Sequence, residues 1–411
     1  MNVEPPARRR TPLPNAPWSL AALIASLSML GPFAIDTYLP AFGAIGEALD
    51  APALAVQQTL SAYLFAYAAM MLWHGALSDA LGRRPLVLAG LIVFAIGSLA
   101  CMIAGNIQSL WLFRVLQGLS AGAPMVVGRA IIRDRFQGPE AQRLMSQVTL
   151  IFGIAPAIAP VIGGVLLNTL GWRSIFGFML VLSLAMLVWA WRALPETLPR
   201  ASRQSLHPRA LFRSYRSVLS RLDFLLLAAV PALNFSAFFL YIAVAPAFLI
   251  DLLGVSTLGF AWLFVPMIAG IMTGAWISGR VAGRVAPART VALGYRVAMA
   301  GVAINLALAV LVPPGVPWHV LPVYVFCVGS SMIMPSVILI LLDLFPTMRG
   351  LASSLQGFVH FALSALTAGT IAPFLAHSLL TLAMGMAAFT AASYAVWRYY
   401  LRRAPAKTFA L

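Results

Sequence analysis

Twelve stretches of roughly 20 or more mostly apolar residues, the length a helix needs to cross the hydrocarbon of a bilayer, leave this chain few ways to fold. They are read at 18–45, 55–77, 85–105, 108–131, 145–169, 172–193, 223–250, 257–279, 290–313, 317–342, 350–375 and 376–400. Prolines and glycines inside them are tolerable, because neighbouring helices satisfy the freed backbone groups. Of the 411 residues, 61% are hydrophobic and 9% charged, against about a quarter charged in an ordinary soluble domain. That balance excludes a soluble enzyme.

The stretch 194–222 interrupts the pattern. It carries six arginines and no long apolar run, so it reads as a basic linker between six-span bundles at 18–193 and 223–400, with tails at 1–17 and 401–411. The opening "MNVEPPARRRTPLPNAP" puts positive charge before an apolar run, as a signal peptide does. The run that follows is too long for a cleaved segment and shows no small-residue cleavage site, so it is read as a retained first helix.

Basic residues orient such a chain, because loops on the cytoplasmic side hold an excess of Lys and Arg. With both termini cytoplasmic, every Lys and Arg except Arg114 and Arg173 falls in an inner segment or at its helix edges. The formal charge of +16 is then largely a topology signal, with anionic membrane lipid as a further partner and no role for nucleic acid. Cys101 and Cys327 lie in apolar runs far apart and read as small core residues.

Within the first run, "SMLGPFAIDTYLPAF" holds Asp36, the one charge between Trp18 and Gly46. A charge at the bilayer centre costs about 2.5–3.5 kcal/mol on insertion scales, so this carboxylate is either hidden against a partner or used. Pro40 cannot donate the helical hydrogen bond that the Asp36 carbonyl would accept. Tyr38 and Tyr63 supply hydroxyls nearby if the first two runs pack together. Arg114 is the other charge buried within the N-terminal spans; with Gln117, Gly118 and Ala121 it forms one polar and small face at i, i+3, i+4 and i+7.

Desolvation favours the neutral form of a carboxyl group, whereas a nearby guanidinium favours the charged form. A carboxylate whose surroundings alternate between the two can load and release a proton. A structural Asp36–Arg114 ion pair between the first and fourth runs is the alternative. "LPAF" at 39–42 is echoed by "APAF" at 245–248 near the end of the seventh run, where Ile242 stands in the place of Asp36. Repeated six-span halves point to a secondary transporter with its site between them.

Between the second and third runs, "GALSDALGRRP" makes a tight basic turn with Gly75, Asp79, Gly82, Arg83 and Arg84. It resembles the loop 2–3 signature of the major facilitator superfamily, G-x-L-a-D-r-x-G-r-r. "LFRVLQGLSAG" in the fourth run resembles that superfamily's R-x-x-Q-G motif. "APAIAPVIGG" in the fifth, with Pro156, Pro160, Gly163 and Gly164, resembles the motif of its drug/proton antiporters. "D-x-Y-L-P-A" in the first run and "GWRSIF" opening the sixth are similar to the Bcr/CflA drug-resistance branch. One departure is Ala80, where the family usually places a basic residue.

The resemblance implies an all-α integral membrane fold, twelve transmembrane helices in two six-helix bundles, in the bacterial inner membrane. It implies a proton-coupled multidrug efflux antiporter that exports chloramphenicol- or bicyclomycin-like compounds, powered by the proton gradient with no cofactor, and monomeric. Asp36 and Arg114 would couple protons. Asp79 would brace the outward-facing state against the start of the eleventh span near Arg349–Gly350, and Asp134 would pair with the loop arginines. Pro156, Pro160, Gly163 and Gly164 would make a bendable, closely packed helix. A cavity lined by aromatics and methionines with one acid would suit small hydrophobic or cationic drugs, and its polar lining is expected from Tyr38, Tyr63, Gln117, Asn234, Tyr241, Gln356 and His360, although the last four could equally be interhelical hydrogen-bonders. Asp343 is expected to snorkel or pair with Arg349. A proton-coupled metabolite or amino-acid transporter of the same fold is the alternative. A membrane-embedded enzyme fits less well, because the five histidines are scattered and no catalytic or metal cluster forms; no phosphate-binding Walker loop is present either.

Overall fold

The structure, a computed structural model, describes residues 17–136, 138–203, 206–281, 284–346 and 348–403. The basic tails at 1–16, with Arg8, Arg9 and Arg10, and 404–411, with Lys407, lie outside these residues. Twelve helical segments are long and apolar enough to cross a membrane, one for each apolar run. The N-terminal six are built from α1 (Pro17–Asp36), α2 (Phe42–Ala48), α3 (Ala53–Leu81), α4 (Arg83–Met102), α5 (Ile107–Ala121), α6 (Ala123–Arg135), α7 (Gly138–Leu170) and α8 (Arg173–Ala193). After α9 (Pro208–Leu219) come α10 (Leu222–Ala243), α11 (Ala261–Val281), α12 (Pro287–Leu311), α13 (Leu321–Asp343), α14 (Arg349–Leu366), α15 (Ala372–Leu375) and α16 (Leu379–Arg403).

Local chemistry sets the ends. Asn106 caps α5 by accepting from the Ser109 N–H at 2.8 Å. Ser378 and Thr381 cap the start of α16 reciprocally, each side chain bonding the other's backbone N–H at 3.1–3.2 Å. Gly82, with φ of 108°, turns α3 into α4 where a residue with a Cβ would be strained and would collide with Glu196 and Arg203.

Four spans break midway, each beside a proline that removes an i→i−4 bond. α1 stops at Asp36, and Pro40 follows in a 3₁₀ turn, Leu39–Ala41. α10 stops at Ala243, Pro246 follows, and the chain rewinds as a π-helix, Ala247–Leu252. The repeated "P-A-F" therefore marks the same break in both halves. The fourth span breaks at Gly122 before Pro124, and the eleventh passes through a π-helical Thr367–Ile371 before Pro373.

The linker departs from the expectation of a plain basic segment. Pro208 opens α9, in which Leu211, Tyr215, Val218 and Leu219 share one face, while Arg209, Arg213 and Arg216 share the other. The apolar face packs with Phe224, Leu227, Leu355 and Trp397 of the C-terminal half. The buried Tyr215 hydroxyl donates across to the Leu72 carbonyl of α3. Burial pushes that phenol up to about 12, so it remains a donor at physiological pH.

Candidate functional site

Two ends of the bundle behave differently. At the end that carries the arginines, the halves part around a cavity of about 1300 Å³. Its walls include Met71, Leu72, Gly75 and Asp79 of α3 and Met125, Arg129 and Arg133 of α6. Facing them are Arg349, Gly350, Ser353 and Ser354 of α14 and Leu206, His207, Leu211, Ser214 and Tyr215 of the linker.

The opposite end is sealed. Asn168 of α7 donates to Thr257 Oγ1 at 3.0 Å across the halves, and Gln57 donates to the Ala243 carbonyl at 3.4 Å. Midway, Tyr67 packs on Phe361 with ring centroids 4.7 Å apart, and Met71 lies over Gly357. The molecule is thus open at the basic end and closed at the other.

The Asp36 and Arg114 side chains lie in the N-terminal half, 4% and 1% exposed. They do not form the ion pair weighed above. None of the four salt bridges among the described residues involves either one. Arg114 instead donates from Nη1 to Gln117 Oε1 at 2.8 Å. Its guanidinium lies between two rings, 4.7 Å from the Tyr38 centroid and 4.4 Å from that of Tyr63. Cation–π contact of this kind contributes about 2 kcal/mol when desolvated. Arg114 Nε and Nη2 have no hydrogen-bond partner, and no hydrogen bond among the described residues reaches the Asp36 carboxylate. Tyr63 lies within electrostatic reach of both charges.

The expected polar lining is placed elsewhere. Gln117 is engaged by Arg114, by Ser98 at 2.8 Å and by Cys101 at 3.7 Å. The Tyr38 hydroxyl bonds Thr59 Oγ1 at 2.7 Å, and that of Tyr63 donates to the Gly31 carbonyl at 3.3 Å. Asn234 donates to Ser393 at 2.6 Å and to Tyr295 at 3.3 Å. Tyr241 accepts from Asn305 at 2.6 Å. Apart from the Arg114–Gln117 bond inside α5, these are interhelical bonds within one half, and none of the five residues lines the open cavity. Gln356 and His360 stand on α14 above it, where the His360 ring packs 4.1 Å from Phe235. Asp36 does not line the cavity either, so in this conformation the cavity's acids are Asp79 and Asp134.

The turn between α3 and α4 is tied down as its charges require. Arg83 donates to Asp79 at 2.6 Å, to Asp134 at 3.1 Å and to Ser78 at 2.8 Å. Arg84 donates to the Trp191 carbonyl. Asp134 also accepts from Thr197 at 2.7 Å. Glu196, which sequence reasoning passed over, accepts from the Arg83 backbone N–H at 3.1 Å and pairs with Arg203 at 3.6 Å. A lone acid after a proline in a basic segment was the available signal. Asp79 and Arg349 face the same cavity, yet Arg349 pairs with Asp343 at 3.0 Å instead.

In α7, Pro156 and Pro160 sit inside the helix, and the two glycines make close crossings. A Cβ on Gly163 would lie 2.0 Å from the carbonyl oxygen of Thr37, the residue after Asp36. One on Gly164 would lie 2.7 Å from that of Thr257 in the other half. Neighbouring glycines therefore touch the break beside Asp36 and the seal between the halves.

Known proteins show the same organisation. The chain is 29% identical over 350 residues to a bicyclomycin resistance protein homolog of Haemophilus influenzae, covering 84% of this chain and 87% of that one. It is 32% identical over 269 residues to a chloramphenicol resistance protein of Pseudomonas aeruginosa, covering 64% and 63%. Its fold matches the crystal structure of a D-xylose-proton symporter with a TM-score of 0.73 at 15% identity, over 93% of this chain and 97% of that one. These are transporters and resistance proteins, and the twelve spans make this chain a multi-pass protein of the bacterial inner membrane. The family model described as Major Facilitator Superfamily matches residues 22–369, and the chain belongs to that family.

Proposed function

We propose that the protein is a proton-coupled exporter of amphipathic drugs, with its basic end in the cytoplasm and its halves, 18–193 and 223–400, rocking about the linker. The observation that carries this reading is the pair of buried, ionically unpartnered groups Asp36 and Arg114. A buried charge without its counterion costs several kcal/mol, and buried donors left unbonded call for a role. A carboxylate and a guanidinium kept apart in one conformation have that role if a second conformation changes their surroundings. Proton binding and substrate binding would then be mutually exclusive, the proton loading at the outer side as substrate leaves and departing at the inner side as substrate binds. The membrane potential adds about 2.3 kcal/mol per charge per 100 mV to the drive. The names of the relatives support drugs as cargo.

The test is proton movement in inverted vesicles, wild type beside Asp36→Asn, with chloramphenicol and bicyclomycin among the compounds added. A drug that collapses the pH gradient with wild type alone identifies both a substrate and the coupling carboxylate. An equal response from the variant would show that Asp36 is structural. Silence from both on every drug would favour a metabolite as cargo.

A further inference from the structure

The cavity holds more positive charge than its acids compensate. Arg83 occupies both Asp79 and Asp134, and Arg349 is taken by Asp343. Arg129 and Arg133 remain. Both line the cavity and are exposed within it, and neither has a salt bridge or hydrogen bond among the described residues. They are one turn apart on α6, within electrostatic reach of each other, with Tyr67 close to Arg129. Unlike a loop arginine that only marks topology, Arg129 shares this cavity with the apolar side chains of Met71, Met125 and Met145.

The charge is also well separated from Asp36. Arg129 follows Gly128, which packs on Ile24 of α1. Ile24 precedes Asp36 by twelve residues, about 18 Å at 1.5 Å per residue. A ligand held at Arg129 therefore lies at the basic mouth, far from the proposed proton site.

We propose that Arg129, assisted by Arg133, forms an anion-recognising subsite in this cavity, and that the protein accepts amphipathic organic compounds bearing an anionic group, such as a carboxylate on an aromatic body. The methionine side chains take the apolar body, and the fixed guanidinium charge attracts the anionic end. This shifts the expected cargo away from cations, and it rests on the exporter reading only in treating the cavity as the loading site.

Equilibrium binding to the purified full chain, at neutral pH in a sodium buffer, separates the two ideas because it requires neither a gradient nor a direction. Tetraphenylborate and tetraphenylphosphonium have nearly the same apolar shell and opposite charge. Wild type is expected to bind the borate more tightly. Arg129→Gln weakens borate binding about tenfold or more and leaves the phosphonium unchanged or tighter, while Arg129→Lys, which keeps the charge, retains most of the preference. Arg133→Gln gives a smaller loss in the same sense, and it serves if Arg129→Gln does not fold. Equal or tighter phosphonium binding by wild type, no binding of either probe, or a ratio untouched by the folded Arg129 and Arg133 variants would overturn the subsite. Failure of proton exchange in vesicles with the borate preference intact would overturn the exporter reading alone.

Discussion

The two halves share a backbone device and differ in what they bury beside it. In each, the first helix stops shortly before a proline, at Asp36 before Pro40 and at Ala243 before Pro246. Around the first break the buried polar groups are charged and incompletely bonded: Asp36, and Arg114 with two free nitrogens. On the C-terminal side they are neutral, and although Asn234 Oδ1 is also unbonded, Asn234, Tyr295 and Ser393 cross-link α10, α12 and α16. A break permits motion and exposes a carbonyl. An ionisable group beside it can link that motion to a proton. One half thus has the build of a switch, the other that of a brace.

The sharpest way to break this comparison is to move the charge. Asp36→Asn is expected to reduce drug-driven proton exchange in vesicles to background. Adding Ile242→Asp should not restore it. Ile242 is 7% exposed and, among the described residues, no arginine of the C-terminal half is buried as Arg114 is, so the new acid only incurs the insertion cost of about 2.5–3.5 kcal/mol. Rescue by the double variant would mean that the halves are interchangeable.

The next largest effect is expected where the switch is packed. Gly163→Val cannot fit 2.0 Å from the Thr37 carbonyl oxygen without displacing the Asp36 break. Overpacking of this kind costs about 1–3 kcal/mol or more, and exchange should fall with it. Gly153→Ala, on the same helix with nothing within 4 Å of its Cβ, should be silent in thermal unfolding and in transport. Equal behaviour of the two would remove Gly163 from the coupling path.

Much of this was legible in the sequence, and the rest was not for physical reasons. The spans announced themselves because hydrocarbon demands long apolar runs. The Arg83–Asp134 contact was foreseeable because both charges end adjacent spans at the basic side. Helix α9 was hidden because three arginines mask the spacing of Leu211, Tyr215 and Val218. Arg129 and Arg133 looked like orientation charges, since sequence cannot tell a loop edge from a cavity wall. Asn234 and Tyr241 could not be divided between cavity and interhelical bonding until Ser393 and Asn305 were placed opposite them. Nor could Asp36 and Arg114 be judged, because helical spacing fixes faces within one span and not distances between spans.

The brace is tested by Ser393→Ala. It removes the group that accepts from Asn234 at 2.6 Å, meets Tyr295 at 2.7 Å and donates to the Val230 carbonyl at 3.0 Å. Buried groups left without partners cost about 1–3 kcal/mol, so the melting temperature should fall. The ratio of protons moved to drug moved should stay at the wild-type value, because no titrating group has changed. A changed ratio would place coupling chemistry in the C-terminal half as well.

The smallest effect is expected from an acid that the C-terminal half carries near a span end. Asp343 pairs with Arg349 at 3.0 Å, but the two side chains are 71% and 59% exposed, and pairs in water contribute less than about 1 kcal/mol. Asp343→Asn should shift the melting temperature slightly at low salt. The shift should vanish near 1 M salt, where screening acts over about 3 Å. Exchange should be unaffected at any salt. Asp343 and Asp36 are the same residue type in the same membrane protein, and their difference lies in water: one carboxylate is solvated and replaceable, the other is enclosed beside a broken helix. If neutralising Asp343 slowed exchange as much as neutralising Asp36, burial would no longer explain which acid matters.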